Sequence, residues 1–587
     1  MRKSLFALAG LLIATACGDR SAEVPAPVVD PASTRIIDQG LLVGFTHQEN
    51  PAHVWLSIPY AAPPVGDLRW RAPQPAPSWE DSRRSLTEAP WCPQVRGRLD
   101  DGSSADEIPL GEIMGQEDCL YLNIYAPIMS STTAEAADLP VMMWIHGGSN
   151  VWGRAEQYDP SKLAAEENVV VAVIQYRLGP LGWFAHDSLR NGADAEDDRS
   201  ANFAILDQIA ALDWLADNVS YFGGDPGNIT IFGESAGGHN VASLLGSPRA
   251  SGKFHKAIIQ SGSFRSVSLQ EAEFGGERAG GSIARKLVGD DATADALRAV
   301  SVDELFRAYG ENLDTEEWDP PRIIEDGIVI PEGGLRAAFD STETFNVVPT
   351  ISGTNKDETK LFNLLEPELV RWRFGRIPRA RNRNVYNAVS EYQSRMWRVI
   401  AVDDPLSAMA DAGHSDLFAY RFDWDEASRA WGADFSELFG AAHGLEIPFV
   451  FGQFRFLGDA DRWVFTEKNE PGRLALNDAM MAYWAEFART GQPGSGGTDN
   501  LPNWSTWSAE DTDENIILFD SPEAGGPRMV ASQESAAGVA EDLFADTRLQ
   551  TTEITCRVYL ATVYWNEDLA AHDAEGCLAS TTASTAE

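Results

Sequence analysis

Beyond its first residues the chain has no long apolar run. No segment reaches the roughly 18 consecutive apolar residues that a membrane-spanning helix needs, so no transmembrane helix is expected. Positive charge is scarce: 46 Lys and Arg stand against 88 Asp and Glu in 587 residues, a net charge of −42. A field of that sign repels nucleic acid and anionic lipid headgroups, so nucleic-acid binding drops out of the candidate functions. The acidic surplus is spread along the chain, the pattern of a solubility trait. Internal repeats are missing too. What the chain does have is 44% hydrophobic residues with 10% aromatics, ample for a large buried core and unlike a disordered protein.

The N-terminus reads as an export signal over residues 1–16. Arg2 and Lys3 form a basic start, Leu5 to Ile13 an apolar core, and Ala14-Thr15-Ala16 a small-residue cleavage site. The sequence Ile13-Ala14-Thr15-Ala16-Cys17 resembles a bacterial lipoprotein box, with Ala14 where Leu is preferred. It predicts a lipid on Cys17 that attaches the mature protein to a membrane; plain secretion is the alternative. The expected location is therefore periplasmic, outer-membrane-anchored or secreted. With Cys17 set aside, four of the 5 cysteines remain, an even number in an oxidising compartment. Proximity along the chain pairs Cys92 with Cys119 and Cys556 with Cys577. Residues 17–36, rich in Ala, Pro and Val, read as a spacer. The body is expected over 37–545 and a Cys-containing tail over 546–587.

Within the body, strands alternate with helices. Val54–Ile58 and the end of 116–125 have strand character. Leu139–Ile145 and Asn168–Gln175 are continuous apolar runs, the pattern of strands buried on both faces. Between them residues 160–167 look helical, and Phe203, Ile205, Leu206, Ile209, Leu212 and Leu215 form a helix-period stripe. Further strands are expected at 229–232, 257–260, 347–353 and 417–422, with helical stretches over about 270–340 and 359–412 and a surface loop at 492–500. Such alternation argues for an α/β fold with a large, mostly parallel central sheet flanked by helices. In such sheets ligands sit beyond the carboxyl ends of the strands. Two Gly-rich segments stop strands there, His146-Gly147-Gly148-Ser149-Asn150 and Gly233-Glu234-Ser235-Ala236-Gly237-Gly238. They should meet at one site.

The second segment is a Gly-x-Ser-x-Gly turn between a strand and a helix. Such a turn projects the Ser235 hydroxyl off the strand end, and Gly233 and Gly237 let strand and helix pass closely. A serine hydroxyl needs a base, most often histidine. Chain order on this kind of sheet is serine, acid, histidine. Of 9 histidines that leaves His414, His443 and His572. Only His443 sits in a small-residue loop, Gly440-Ala441-Ala442-His443-Gly444. The acid should follow the strand near 350, where Asp357 and Glu358 both qualify.

The surrounding sequence resembles the type-B carboxylesterase and cholinesterase family. The resemblance is carried by Gly223-Gly224-Asp225-Pro226, by Ile229 to Gly238, and by Glu117-Asp118-Cys119-Leu120-Tyr121-Leu122-Asn123-Ile124. Tyr176-Arg177-Leu178-Gly179-Pro180-Leu181-Gly182, Asn355-Lys356-Asp357-Glu358 and His443-Gly444-Leu445-Glu446-Ile447-Pro448 follow in the same order. It implies an α/β-hydrolase fold with helical insertions around an active-site gorge. It further implies Ser235 as nucleophile, Glu358 as acid, His443 as base, Ser261 in support and a Cys92–Cys119 disulfide. The implied oxyanion donors are the N–H groups of Gly148, Ser149 and Ala236; serine stands at 149 where the family usually has glycine. If that position needs φ > 0, Ser149 stores strain. The implied partner is a small-molecule ester, with no metal and no cofactor. The Cys92–Cys119 loop holds no Trp, Tyr or Phe, which argues against choline-type substrates. A lipase or acyltransferase on the same triad, and a non-catalytic binding module, are the rival readings. Oligomeric state, natural ester and acyl length stay open.

Overall fold

Eleven strands in one sheet organise the computed structural model, which describes residues 27–97, 108–310, 323–373, 377–430, 432–509 and 514–579. The leader, Cys17 and the spacer up to residue 26 lie outside the described residues. The strands are β1 (Phe45–Thr46), β2 (Ala52–Pro59), β3 (Tyr121–Pro127), β4 (Leu139–Ile145), β5 (Val170–Ile174), β6 (Gly224–Glu234), β7 (Lys256–Gln260), β8 (Thr350–Asn355), β9 (Leu417–Phe422), β10 (Ile516–Phe519) and β11 (Arg528–Val530). Their spatial order is β11-β10-β9-β8-β7-β6-β4-β5-β3-β2-β1. The seven strands from β5 through β4 and β6 to β10 pair in parallel, and antiparallel strands close both edges.

The apolar runs are buried on both faces because alternate side chains enter different cores. On β4, Val141, Met143 and Ile145 join one core and Met142 and Trp144 the other. On β5 the division is Val170, Ala172 and Ile174 against Val171 and Val173. Helices cover each side: α1 (Ser161–Glu167) and α5 (Glu470–Thr490) pack on the second core, α2 (Phe203–Asn218) and α3 (Ala236–Gly246) on the first. Farther along, α4 (Arg383–Arg398) meets α6 (Ala536–Ala545) and α7 (Thr552–Trp565) around a third, smaller core.

The sheet and its flanking helices match the α/β fold expected from the sequence. Two stretches differ from expectation. The region 359–412 is not continuously helical: a two-stranded ribbon, Val370–Arg373 with Ile377–Ala380, interrupts it before α4. Among the described residues of 270–340, four short helices precede a strand, Ile324–Glu325, paired with Val267–Ser268. Polar helix-period patterns do not reveal such ribbons, whose register depends on a partner strand. Both cysteine pairs, Cys92–Cys119 and Cys556–Cys577, are disulfides, with Cα atoms 5.0 and 5.1 Å apart.

Candidate active site

β6 ends at Glu234, and Ser235 follows with φ 58° and ψ −122° before α3 begins at Ala236. A left-handed serine is costly and persists only where its surroundings fix it. They do here: the Ser235 N–H donates to the Gln260 carbonyl on β7 at 2.9 Å, and the His239 N–H to the Ser235 carbonyl at 3.0 Å. The flanking glycines are sterically required. A Cβ on Gly233 would lie 2.6 Å from the Gly237 carbonyl carbon, and one on Gly237 only 1.9 Å from the Ile145 oxygen. So α3 starts almost in contact with the end of β4, where the second Gly-rich loop begins.

That loop meets the serine as expected. Ile145 pairs with Gly233 across β4 and β6, and a Cβ on Gly147 would come 3.0 Å from the Ser235 Cβ. Gly148, Ser149 and Asn150 have φ of 95°, 55° and 62°. The strain anticipated at Ser149 is therefore present. Three successive positive φ values curl the backbone tightly beside Ser235. The loop is held from outside: Tyr176 donates its hydroxyl to the His146 carbonyl at 2.6 Å, Asn240 Nδ2 donates to Asn150 Oδ1 at 3.0 Å, and the Gly179 N–H to the Asn150 carbonyl at 2.7 Å. Burial lowers the His146 pKa to about 4, so this histidine is neutral and adds no charge beside the loop.

His443 and Glu358, from loops after β9 and β8, are in direct contact. The imidazole Nδ1 lies 2.5 Å from Glu358 Oε2, the arrangement that orients a ring and favours its charged form. Ser261, at φ 49°, donates its hydroxyl to Glu358 Oε1 at 2.5 Å, and the Asn355 N–H donates to the same oxygen at 2.7 Å. Asp357, the alternative acid, points elsewhere: it pairs with Lys360 at 3.0 Å and accepts from the Ala441 N–H. His414 meets the Val348 carbonyl instead.

The fold brings these groups together with one difference from the expected triad. Among the described residues no hydrogen bond joins Ser235 to His443; the imidazole Nε2 lies 3.1 Å from Glu234 Oε1. Glu234 is the residue that sequence reasoning passed over. It is 5% exposed at the end of β6, where the preceding residues 229–233 are buried. A carboxylate there, directly before the serine, was the available signal. Burial pushes the Glu234 carboxyl up to about 8, against the pull of His443. Burial would lower the His443 pKa, but Glu234 and Glu358 outweigh it and raise it to about 9. Glu446, fully buried and raised by burial, completes the cluster and accepts from Asn355 at 2.6 Å.

Ser149, Ser235, Ala236 and Ser261 open onto a cavity of about 320 Å³. The same cavity is lined by Phe362, Trp397 and Trp565, none of which the sequence had marked. Trp397 and Phe362 cover His443, their ring centroids 4.7 and 5.4 Å from the imidazole. The Ser235 turn, the loop of positive-φ residues and the histidine–carboxylate pair together present the groups that acyl transfer requires, beside a cavity lined by polar and aromatic side chains.

Comparison with known proteins agrees with that chemistry. The chain is 33% identical over 487 residues to the para-nitrobenzyl esterase of Bacillus subtilis, a match covering 80% of this chain and 92% of the relative. It is 33% identical to the liver carboxylesterase of Sus scrofa, covering 83% and 88%. Among solved structures, a carboxylesterase of Geobacillus stearothermophilus superposes with a TM-score of 0.64 at 28% identity, covering 85% of this chain and 97% of that one. These likenesses establish the α/β-hydrolase fold and a carboxylic ester hydrolase of the serine type. The sequence model of the Carboxylesterase family matches residues 32–370 and 365–528, and the chain belongs to that family.

Proposed function

We propose that the chain is an exported serine carboxylesterase with Ser235, His443 and Glu358 as its triad. The observation that carries the reading is the 2.5 Å His443–Glu358 contact behind a cavity that the strained Ser235 enters. Ser235 Oγ attacks the ester carbonyl carbon as the His443 Nε2 takes its proton. The tetrahedral oxyanion accepts hydrogen bonds from the N–H groups of Gly148, Ser149 and Ala236. Collapse breaks the bond to the alkoxy oxygen, which leaves as alcohol with the proton from His443, and the acyl group stays on Ser235. Water, deprotonated by His443, then releases the acid and restores the serine. Glu358 keeps Nδ1 protonated and stabilises the transient imidazolium, with Ser261 fixing its carboxylate. For Nε2 to serve, the imidazole must exchange its Glu234 contact for the serine.

The two disulfides support an oxidising destination. No helix among the described residues is long and apolar enough to cross a membrane, so attachment rests on a lipid at Cys17. The test is Ser235→Ala with a p-nitrophenyl ester. Turnover should fall about 10⁴-fold or more while circular dichroism is unchanged; full turnover in the variant would overturn the assignment. Mass analysis of the mature N-terminus reads the anchor: an unmodified Cys17 removes it.

A further inference from the structure

The family match ends at residue 528, yet the chain beyond it reaches the cavity. α6, α7 and the turn Glu567–His572 fold onto α4 through Val389, Tyr392 and Met396 on one side and Leu543, Val558 and Leu569 on the other. The Cys556–Cys577 disulfide ties the start of α7 to the end of this arm. Hydrogen bonds fix its approach to the body: Gln393 donates to the Ala561 carbonyl at 3.0 Å, and Arg265 Nη2 to Asn566 Oδ1 at 2.6 Å. Trp565, the last residue of α7, is thereby set against Phe362 and Trp397, with ring centroids 5.3 and 5.7 Å away. Its neighbour Tyr564 faces solvent, 91% exposed.

We propose that the disulfide-closed C-terminal arm is the specificity wall of the active site, and that Trp565 limits the size of the ester that can stand beside Ser235. The inference rests on the reading of Ser235 as nucleophile. Three stiff aromatic side chains line one end of the cavity, and its volume lies at the low end for small-molecule sites. A wall of packed rings cannot yield as a loop of flexible side chains can. The accepted substrates are therefore esters with a short or compact group on the Trp565 side. Removing the indole opens the cavity toward α7 and admits a longer group.

The experiment measures kcat/KM for full-length protein carrying Trp565→Ala, Trp565→Phe or, as control, Tyr564→Ala. Two ester series are used: p-nitrophenyl acetate, butyrate and octanoate, and ethyl against benzyl acetate. The ratio of the larger to the smaller substrate should rise roughly tenfold or more in Trp565→Ala in at least one series. It should rise less in Trp565→Phe and not at all in Tyr564→Ala. The series that responds tells whether the wall bounds the acyl or the alcohol side. Unchanged ratios, or a uniform fall across both series, overturn the inference. If Trp565→Ala does not fold, Trp565→Leu carries the same test. Ser235→Ala is run alongside: surviving turnover there would refute the nucleophile assignment, whereas Ser235-dependent turnover with flat ratios refutes the wall alone.

Discussion

The two sides of the active-site cavity are built on different principles. One side is the carboxyl end of the parallel sheet, where Gly147 to Asn150 and Glu234 to Gly238 are wedged between β4, β6 and β7. Its atoms are held by the sheet itself and by backbone contacts that leave no room for a Cβ. The other side is a layer of helices, α4 and the C-terminal arm, held by a modest core, a disulfide and a few hydrogen bonds. The first side positions charge in the reaction and tolerates almost no change. The second shapes the space, and through Trp397 it also touches the His443 imidazole. Reacting groups on rigid strand ends, with selectivity carried by an appended layer, allow one hydrolytic site to serve many esters.

The comparison is tested most severely at Gly237. Gly237→Ala places a methyl group 1.9 Å from the Ile145 oxygen, so strand and helix must part. A loss of about 3 kcal/mol or of soluble protein is expected, read by denaturant melts, and activity should vanish with it. Normal stability in this variant would mean that the sheet side is not rigid.

A second test is Glu234→Gln. On the proposed mechanism His443 is the base and must be neutral to act, so kcat/KM should rise with pH through its pKa, which the carboxylates hold up near 9. Removing one of them should move that limb to lower pH by about one pH unit. Stability follows the same sign. A histidine raised from 6.5 to about 9 contributes stability that is full below pH 6.5 and lost as pH climbs through 9. The variant should therefore lose less stability between pH 6.5 and 9. A pH–rate profile identical to that of the parent would remove Glu234 from the site.

Separation of the two sides is sharpened by Cys556→Ser combined with Cys577→Ser. Opening a loop with a sequence separation of 21 residues should cost the arm about 3 kcal/mol by the chain-entropy account. Hydrogen exchange should quicken over 552–579 and stay slow over 139–145 and 229–234. Equal quickening in both would show that arm and sheet unfold as one unit.

The smallest effect belongs to Ser149→Gly. Relief of a left-handed serine at φ 55° is nearly balanced by the greater chain entropy of glycine. A gain of at most about 1 kcal/mol in stability is expected, with kcat within about threefold of the parent if the Ser149 amide acts as the proposed oxyanion donor.

Much of the sheet side was legible in the sequence. The runs Leu139–Ile145 and Asn168–Gln175 announce doubly buried strands, because apolar residues on both faces have no other stable place. Glycines at 233 and 237 around Ser235 announce a tight strand-to-helix turn. His443 followed from chain order and its small-residue loop. Asp357 and Glu358 could not be separated by spacing, since adjacent residues point differently only once the loop is folded; Glu358 came from family resemblance. The helical side was almost illegible. Trp397 and Trp565 stand 168 positions apart, and nothing local marks either as part of a cavity.

By itself the sequence determined the α/β class, the serine turn and the glycines it requires, because these depend on periodicity and on backbone sterics within a few residues. Tertiary structure alone decided that Ser149 takes a left-handed conformation, that the Glu234 carboxylate meets His443, and that Trp565 packs on Phe362 and Trp397 at the cavity. Those outcomes depend on which distant segments pack together, and packing is settled by the whole core rather than by any one stretch of chain.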